Sequence, residues 1–152
     1  FEHYYRAGEA MLRFLAGTPN ILSLVALDGA LDVFSAVDMA EIRSKSIGLS
    51  ELFIGCVDAA PALKDFELIS PRDKLERGSQ LAFSHEHAFA ISQALIAHKV
   101  VVDFRAPNII RFAFTPLFLS YQEVLKASQV LLKIVGEQLY LESKYHARGK
   151  VT

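Results

Sequence analysis

The sequence predicts an α+β fold in which a short, mainly antiparallel sheet is covered by helices. First, 152 residues with 52% hydrophobic side chains are enough to bury one sizeable core. Second, short strand patterns are separated along the chain by helical patterns. Third, two adjacent segments rich in β-branched and aromatic residues flank a single turn. Strands separated by helices in such a small set are typical of this fold class.

Two helices are predicted in the first part of the chain. Thr18 can serve as an N-cap and Pro19 as the first-turn residue, so a helix is predicted to start there. Apolar residues at positions 21–34 cover most of its circumference, and we therefore expect it to be buried on several sides. Asp38 followed by Glu41 is a variant of the capping box, which predicts a second, long helix from Asp38.

The elements of the sheet follow. Residues 66–69 and 80–84 are predicted to be short strands, and the apolar periodicity between His87 and His98 predicts a helix. Residues 100–104 and 109–114 are predicted to form two further strands, which pair most simply as a hairpin around the intervening turn.

A final helix and a tail close the chain. Ser120 and Glu123 have the spacing of a full capping box, so the helix is predicted to begin at this point. The polar residues 143–152 are expected to fray.

The most informative residue is Arg111, because it lies inside an otherwise apolar strand. Strand alternation places Arg111 and Ala113 on one face and the aromatic residues on the other, which faces the core. The small Ala113 leaves room for a flat anion to bind the guanidinium through two parallel hydrogen bonds, so a carboxylate is the natural ligand. From these residues alone, an ion pair with Asp103 or with a helix carboxylate is an equal alternative. Arg105, beside the turn and close to Asp103, is predicted to be a surface or loop-ordering residue.

A weaker candidate is the loop of residues 17–20. A helix N-terminus with a threonine hydroxyl at Thr18 could hold a phosphate, although a plain N-cap is the more frequent role of such a threonine.

Composition and spacing argue against several other functions. A net charge of −1 provides no basic field for nucleic acid or an anionic membrane. The single cysteine, Cys56, fits a reducing cytoplasm. His85 and His87 have no second cluster of ligands, so no metal is predicted and both are expected to be exposed turn residues.

Several ordered blocks of the chain resemble kynureninase. Two of the most telling are Gly17-Thr18-Pro19 and Phe114-Thr115-Pro116-Leu117, and the resemblance runs from about residue 13 to residue 136. Local departures are the His-Glu-His-Ala-Phe sequence at 85–89 and Phe118, where tyrosine is frequent. The blocks occur in the order of the family, at residues 14–24, 38–54, 70–72, 77–79, 102–107 and 110–118.

The resemblance implies a function and three site residues. It implies the C-terminal part of a pyridoxal-phosphate hydrolase of the aspartate-aminotransferase fold type (fold type I), which cleaves L-kynurenine or its 3-hydroxy form to L-alanine and an anthranilate in tryptophan breakdown. Arg111 would bind the α-carboxylate of this amino-acid substrate. Thr18 would help to hold the cofactor phosphate across a homodimer interface, and Gly17 would lie in the same loop.

The resemblance also implies a domain plan. Residues 1–20 would be the tail of a large cofactor-binding domain, 21–58 linking helices, 59–142 the small α+β domain and 143–152 the frayed tail. The lysine that binds the cofactor covalently is expected upstream of Phe1, so no catalytic residue is assigned and the chain alone is expected to be inactive. Two alternatives are a stand-alone binding or dimerisation module, and the small domain of another fold-type-I lyase such as a cysteine desulfurase.

Overall fold

The computed structural model describes residue 4 and residues 6–15 and 17–147. The chain forms two compact units, Phe1–Asp38 and Met39–Thr152. No helix in the described ranges combines the length and the apolar character needed to cross a lipid bilayer.

The first unit consists of a 3₁₀ helix at Ala10–Phe14 and helix α1 at Ile21–Ser35. The N-cap of α1 is Asn20, whose side chain accepts a hydrogen bond of 3.1 Å from the backbone N–H of Ser23. The prediction that Thr18 caps this helix is therefore wrong. Asn20 is itself a preferred N-cap residue, and its extended backbone lets the side chain reach the third residue of the helix.

Helix α1 also differs from its sequence prediction in burial. None of its residues is buried, and Leu22, for example, is 82% exposed. The prediction of a helix buried on several sides is wrong for this structure. The apolar pattern of a helix indicates only that the helix needs a partner surface, and the first unit does not supply one.

The second unit contains the sheet and its helices. The long helix predicted from Asp38 begins one residue later, at Met39. The elements in chain order are α2 (Met39–Asp58), β1 (Glu67–Leu68), β2 (Gln80–Ser84), α3 (Ala88–Ala97), β3 (Asp103–Arg105), β4 (Ile109–Ala113) and α4 (Tyr121–Gly136).

The four strands form one antiparallel sheet in the order β1-β2-β4-β3. The predicted hairpin is β3 and β4, and the α+β prediction is confirmed. In the central part of the sheet, Arg111 of β4 lies between Ala82 of β2 and Asp103 of β3.

The core lies between the sheet and helices α2, α3 and α4. Phe53 of α2 is fully buried, and its ring centroid lies 6.0 Å from that of Phe83, 4.6 Å from that of Phe112 and 5.3 Å from that of Phe114. Ile110 and Phe112 point into this core while Arg111 does not, which confirms the predicted alternation of β4. Because α2 supplies Phe53, this helix is part of the core of the unit.

The start of α4 follows its prediction closely. The side chain of Ser120 accepts a hydrogen bond of 3.2 Å from the backbone N–H of Glu123, and the Glu123 carboxylate accepts one of 2.7 Å from the backbone N–H of Ser120. Both hydrogen bonds of the capping box are present. The backbone N–H of Ser120, and then its hydroxyl at 2.7 Å, donate hydrogen bonds to the Glu123 carboxylate, and these two bonds lower the pKa of Glu123.

The segment after α4 is more ordered than the sequence predicts. Residues Ser143–Tyr145 form a 3₁₀ helix, and Tyr145 is buried in the core cluster. The predicted fraying from residue 143 therefore does not apply to these three residues, because an aromatic side chain packs there. Residues 148–152 of the predicted tail lie outside the described residues.

His85 is another departure from the sequence prediction. Its ring lies 4.6 Å from the Phe66 ring, and its Nδ1 accepts a hydrogen bond of 3.0 Å from the backbone N–H of His87. The prediction of an exposed His85 is wrong, because aromatic packing against Phe66 and Tyr140 buries it. Burial, with a smaller effect of the neighbouring His87, lowers the pKa of His85 and favours the neutral ring that this hydrogen bond requires.

Candidate functional site

Arg111 lies in the middle of β4, on the sheet face opposite the core. Its neighbours across the two adjacent strands are Ala82 and Asp103. The arginine side chain remains 29% exposed. The small side chain of Ala82 on one side and the carboxylate of Asp103 on the other leave the Arg111 guanidinium accessible to solvent.

Arg111 forms an ion pair within the hairpin. Its Nη2 donates a hydrogen bond to Oδ2 of Asp103, and Nε of Arg105 donates a second one of 3.1 Å to the same oxygen. Arg105 is exposed, as predicted from its place beside the turn. The ion pair that the sequence left as an alternative for Arg111 is thus present. Two guanidinium groups and one carboxylate leave this cluster with a formal charge of +1.

The Asp103 ion pair does not use all the donors of Arg111. A guanidinium has five N–H donors. Within the described ranges, Nε of Arg111 is buried without a hydrogen-bond partner, and the only hydrogen bond of the group is the one from Nη2. The Nη donors that Asp103 does not use, together with the net positive charge, make the cluster suitable for binding a carboxylate.

The segment that follows β4 is attached to helix α2. Nζ of Lys45 donates a hydrogen bond of 2.6 Å to the backbone carbonyl of Pro116. The backbone N–H of Phe114 also donates one of 2.9 Å to the carbonyl of Ser79. These bonds hold both ends of the Phe-Thr-Pro sequence and fix the strand that carries Arg111.

Thr18 and Gly17 lie in the first unit, in an exposed bend before helix α1. The Thr18 hydroxyl forms no hydrogen bond within the described part of the chain, and a Cβ atom added to Gly17 would meet no atom within 4 Å. A free hydroxyl next to the N–H groups at a helix start is a suitable donor set for phosphate oxygens. The chemistry of these donors is compatible with the phosphate ligand that the family resemblance implies.

A buried arginine, Arg77, is not identified by the sequence analysis. Its side chain, only 2% exposed, pairs with Glu51 of α2 and donates hydrogen bonds to the backbone carbonyls of Pro71, at 3.1 Å, and Arg72. Nη2 of Arg43 donates a bond of 2.9 Å to the carbonyl of Arg77 itself. This network holds the loop between β1 and β2 against α2. The loop sequence gives no sign of it, since only Gly78 and Ser79 mark the position as a turn.

No metal site is formed by the residues that the structure describes: they contain no group of three or more His, Cys, Asp or Glu side chains placed to hold an ion.

Comparison with known proteins identifies related sequences. The family model of the kynureninase C-terminal domain matches residues 42–131. A kynureninase from Pseudomonas fluorescens is 38% identical over 151 residues, which are 99% of this chain and 36% of that protein. Kynureninases from Burkholderia mallei (strain SAVP1) and Burkholderia pseudomallei (strain K96243) are each 39% identical over 140 residues, 92% of this chain and 34% of theirs. The chain thus spans about a third of the length of the curated relatives it matches.

Proposed function

The chain belongs to the kynureninase family, and we propose that it acts as the substrate-carboxylate-binding part of an enzyme that hydrolyses L-kynurenine or 3-hydroxykynurenine. The observation that carries this proposal is the cationic cluster at Arg111, which lies inside the segment matched by the family model. The family match removes the alternative of a cysteine desulfurase.

In this proposal, Arg111 binds and orients the substrate. Its Nη donors that Asp103 does not use hold the α-carboxylate, and the antiparallel sheet fixes the backbone position of Arg111. Thr18 donates its hydroxyl to the cofactor phosphate, and Gly17 leaves the backbone of the same loop accessible. Pyridoxal phosphate, when bound, supplies an electron sink that permits cleavage of a bond in an amino-acid substrate.

The proposal includes a homodimer and a cytoplasmic location. We place Thr18 at the cofactor phosphate of a partner subunit in a homodimer, an assignment that comes from the family resemblance. A cytoplasmic location agrees with the single cysteine of the chain, Cys56, which is a free thiol.

The proposal is tested by assaying the full-length protein that contains this chain. With pyridoxal phosphate bound, we expect L-kynurenine and water to give equal amounts of anthranilate and L-alanine, measured by chromatography. The isolated 152-residue chain should give neither product, because we assign it no covalent lysine. Absence of products from the full-length protein would leave the stand-alone module as the better account, and turnover by the isolated chain would contradict the expected inactivity.

The role of Thr18 gives a separate prediction. Thr18→Ala in the full-length protein should weaken pyridoxal-phosphate binding about tenfold, since one hydrogen bond to a charged group contributes roughly 1.5 kcal/mol. Equilibrium titration of the apoenzyme, followed by cofactor absorbance, measures this. Ser35→Ala is the matched control, because it removes a hydroxyl from the other end of α1, where it donates to the Asp32 carbonyl. An unchanged dissociation constant in Thr18→Ala would exclude contact with the phosphate.

A further inference from the structure

Asp103 lies directly across the hairpin from Arg111 and accepts hydrogen bonds from two arginines. Its Oδ2 atom receives Nη2 of Arg111 and, at 3.1 Å, Nε of Arg105. Asp103 and Arg111 are paired in the register of β3 and β4, so both side chains project from fixed backbone positions on the same sheet face. The same oxygen of Asp103 is thus bound by Arg105 and by Arg111.

From this arrangement we propose that Asp103 is a positioning residue for carboxylate recognition: it holds the Arg111 guanidinium in the orientation that receives the substrate. The proposal rests on the proposed function, since it assumes that Arg111 binds the α-carboxylate. It assigns to Asp103 no contact with the substrate itself.

The physical reason is the flexibility of an arginine side chain. A long side chain at a partly exposed site samples several rotamers, and each hydrogen bond to a ligand then requires ordering of that chain. The bond from Nη2 to Asp103 fixes the guanidinium before the substrate arrives. Asp103 takes only one of the five donors of the guanidinium. The Nη donors that remain are therefore oriented by this bond and stay available to a carboxylate.

Electrostatics and positioning predict opposite results when the Asp103 charge is removed. Asp103 repels an incoming carboxylate, so a purely electrostatic role predicts tighter substrate binding when it is neutralised. A positioning role predicts weaker binding, because the guanidinium is no longer held by a charged partner. The sign of the change therefore decides between the two roles.

The test uses Asp103→Asn in the full-length holoenzyme, since asparagine keeps the shape of the side chain. We expect KM for L-kynurenine to rise about tenfold with kcat changed by less than about threefold, as expected for a misplaced binding group. Binding of the product L-alanine, measured by calorimetry, should weaken by the same factor. L-alaninamide has the same amino group but no carboxylate, and its affinity should not change.

The matched control is Asp58→Asn. Asp58 is 47% exposed, against 45% for Asp103, and it pairs with another arginine, Arg72, at 2.7 and 2.9 Å. Its replacement should leave the ratio of the L-alanine and L-alaninamide affinities unchanged.

The outcomes separate this proposal from the proposed function. Unchanged or tighter L-alanine binding in Asp103→Asn, or an equal loss for L-alaninamide, would overturn the positioning role. An equal loss in Asp58→Asn would overturn it as well. If Arg111→Lys left L-alanine binding unchanged, the carboxylate-binding role of Arg111 would itself fail. Weaker binding of L-alanine in Arg111→Lys with no change in Asp103→Asn would remove only the proposal about Asp103.

Discussion

Arg111→Lys in the full-length enzyme should raise KM for L-kynurenine about 100-fold, because it removes the planar fork that we propose to bind the α-carboxylate. Lysine keeps the positive charge but offers a single ammonium group in place of two parallel N–H donors. Loss of charge-assisted hydrogen bonds of about 1.5–3 kcal/mol corresponds to a factor of roughly 10 to 150 in affinity. The absorbance of bound cofactor should not change, since Thr18 and not Arg111 is assigned to the phosphate.

Steady-state kinetics and equilibrium binding of L-alanine measure this effect together. The binding experiment is needed because KM equals a dissociation constant only when chemistry is slow. Arg72→Lys is the control, since it makes the same chemical change in an exposed ion pair with Asp58. If KM in Arg111→Lys stays within about threefold of the wild-type value, as in the control, Arg111 does not bind the carboxylate.

Carboxylate binding by Arg111 is compatible with the ion pair seen in the structure. The sequence left these two roles as equal alternatives, and the structure contains the pair with Asp103. The pair uses one N–H of Nη2, and the other Nη donors of Arg111 have no partner among the described residues. Since Asp103 is also bound by Arg105, the cluster keeps a positive charge. A substrate carboxylate therefore does not have to displace Asp103.

Most of the fold could be predicted from the sequence because its signals are local. The capping box at Ser120 depends on a residue only three positions away, and both of its hydrogen bonds are formed. The alternation of β4 depends on the pleat of a strand, and it correctly places Arg111 away from the core. The hairpin was also found, because its two strands are adjacent along the chain.

The features that were missed depend on residues distant in sequence or on competing local signals. Arg77 is buried and pairs with Glu51, which lies 26 positions earlier, and no periodicity in the loop reflects that contact. His85 is buried by Phe66 and Tyr140, which come from other parts of the chain. At the start of α1, Thr18 and Asn20 are both good N-cap residues, and sequence alone does not decide between two adjacent signals.

Arg77→Met should destabilise the 152-residue chain by about 3 kcal/mol, because it removes the charge and all side-chain donors from a buried position. Methionine fills a similar volume, so the loss comes mainly from hydrogen bonds. The part-buried hydrogen bonds to the carbonyls of Pro71 and Arg72 are lost, and a typical hydrogen bond contributes about 0.5–1.5 kcal/mol. Glu51 loses its partner as well, but it is half exposed and water can solvate it. We therefore expect a value at the lower end of the range of about 3–5 kcal/mol for breaking a buried ion pair.

Urea unfolding followed by circular dichroism measures this change, and Arg72→Met is the matched control. Arg72 is the arginine of the same loop whose side chain is 65% exposed, and its solvent-screened ion pair with Asp58 should contribute little to stability. Arg77→Lys should give an intermediate loss, because an ammonium group keeps the charge opposite Glu51 but serves fewer acceptors. If Arg77→Met and Arg72→Met unfold at the same urea concentration, the Arg77 network does not stabilise the loop. In that case the loop between β1 and β2 would be held by other contacts, among them the hydrogen bond of 2.7 Å between the hydroxyls of Ser46 and Ser79.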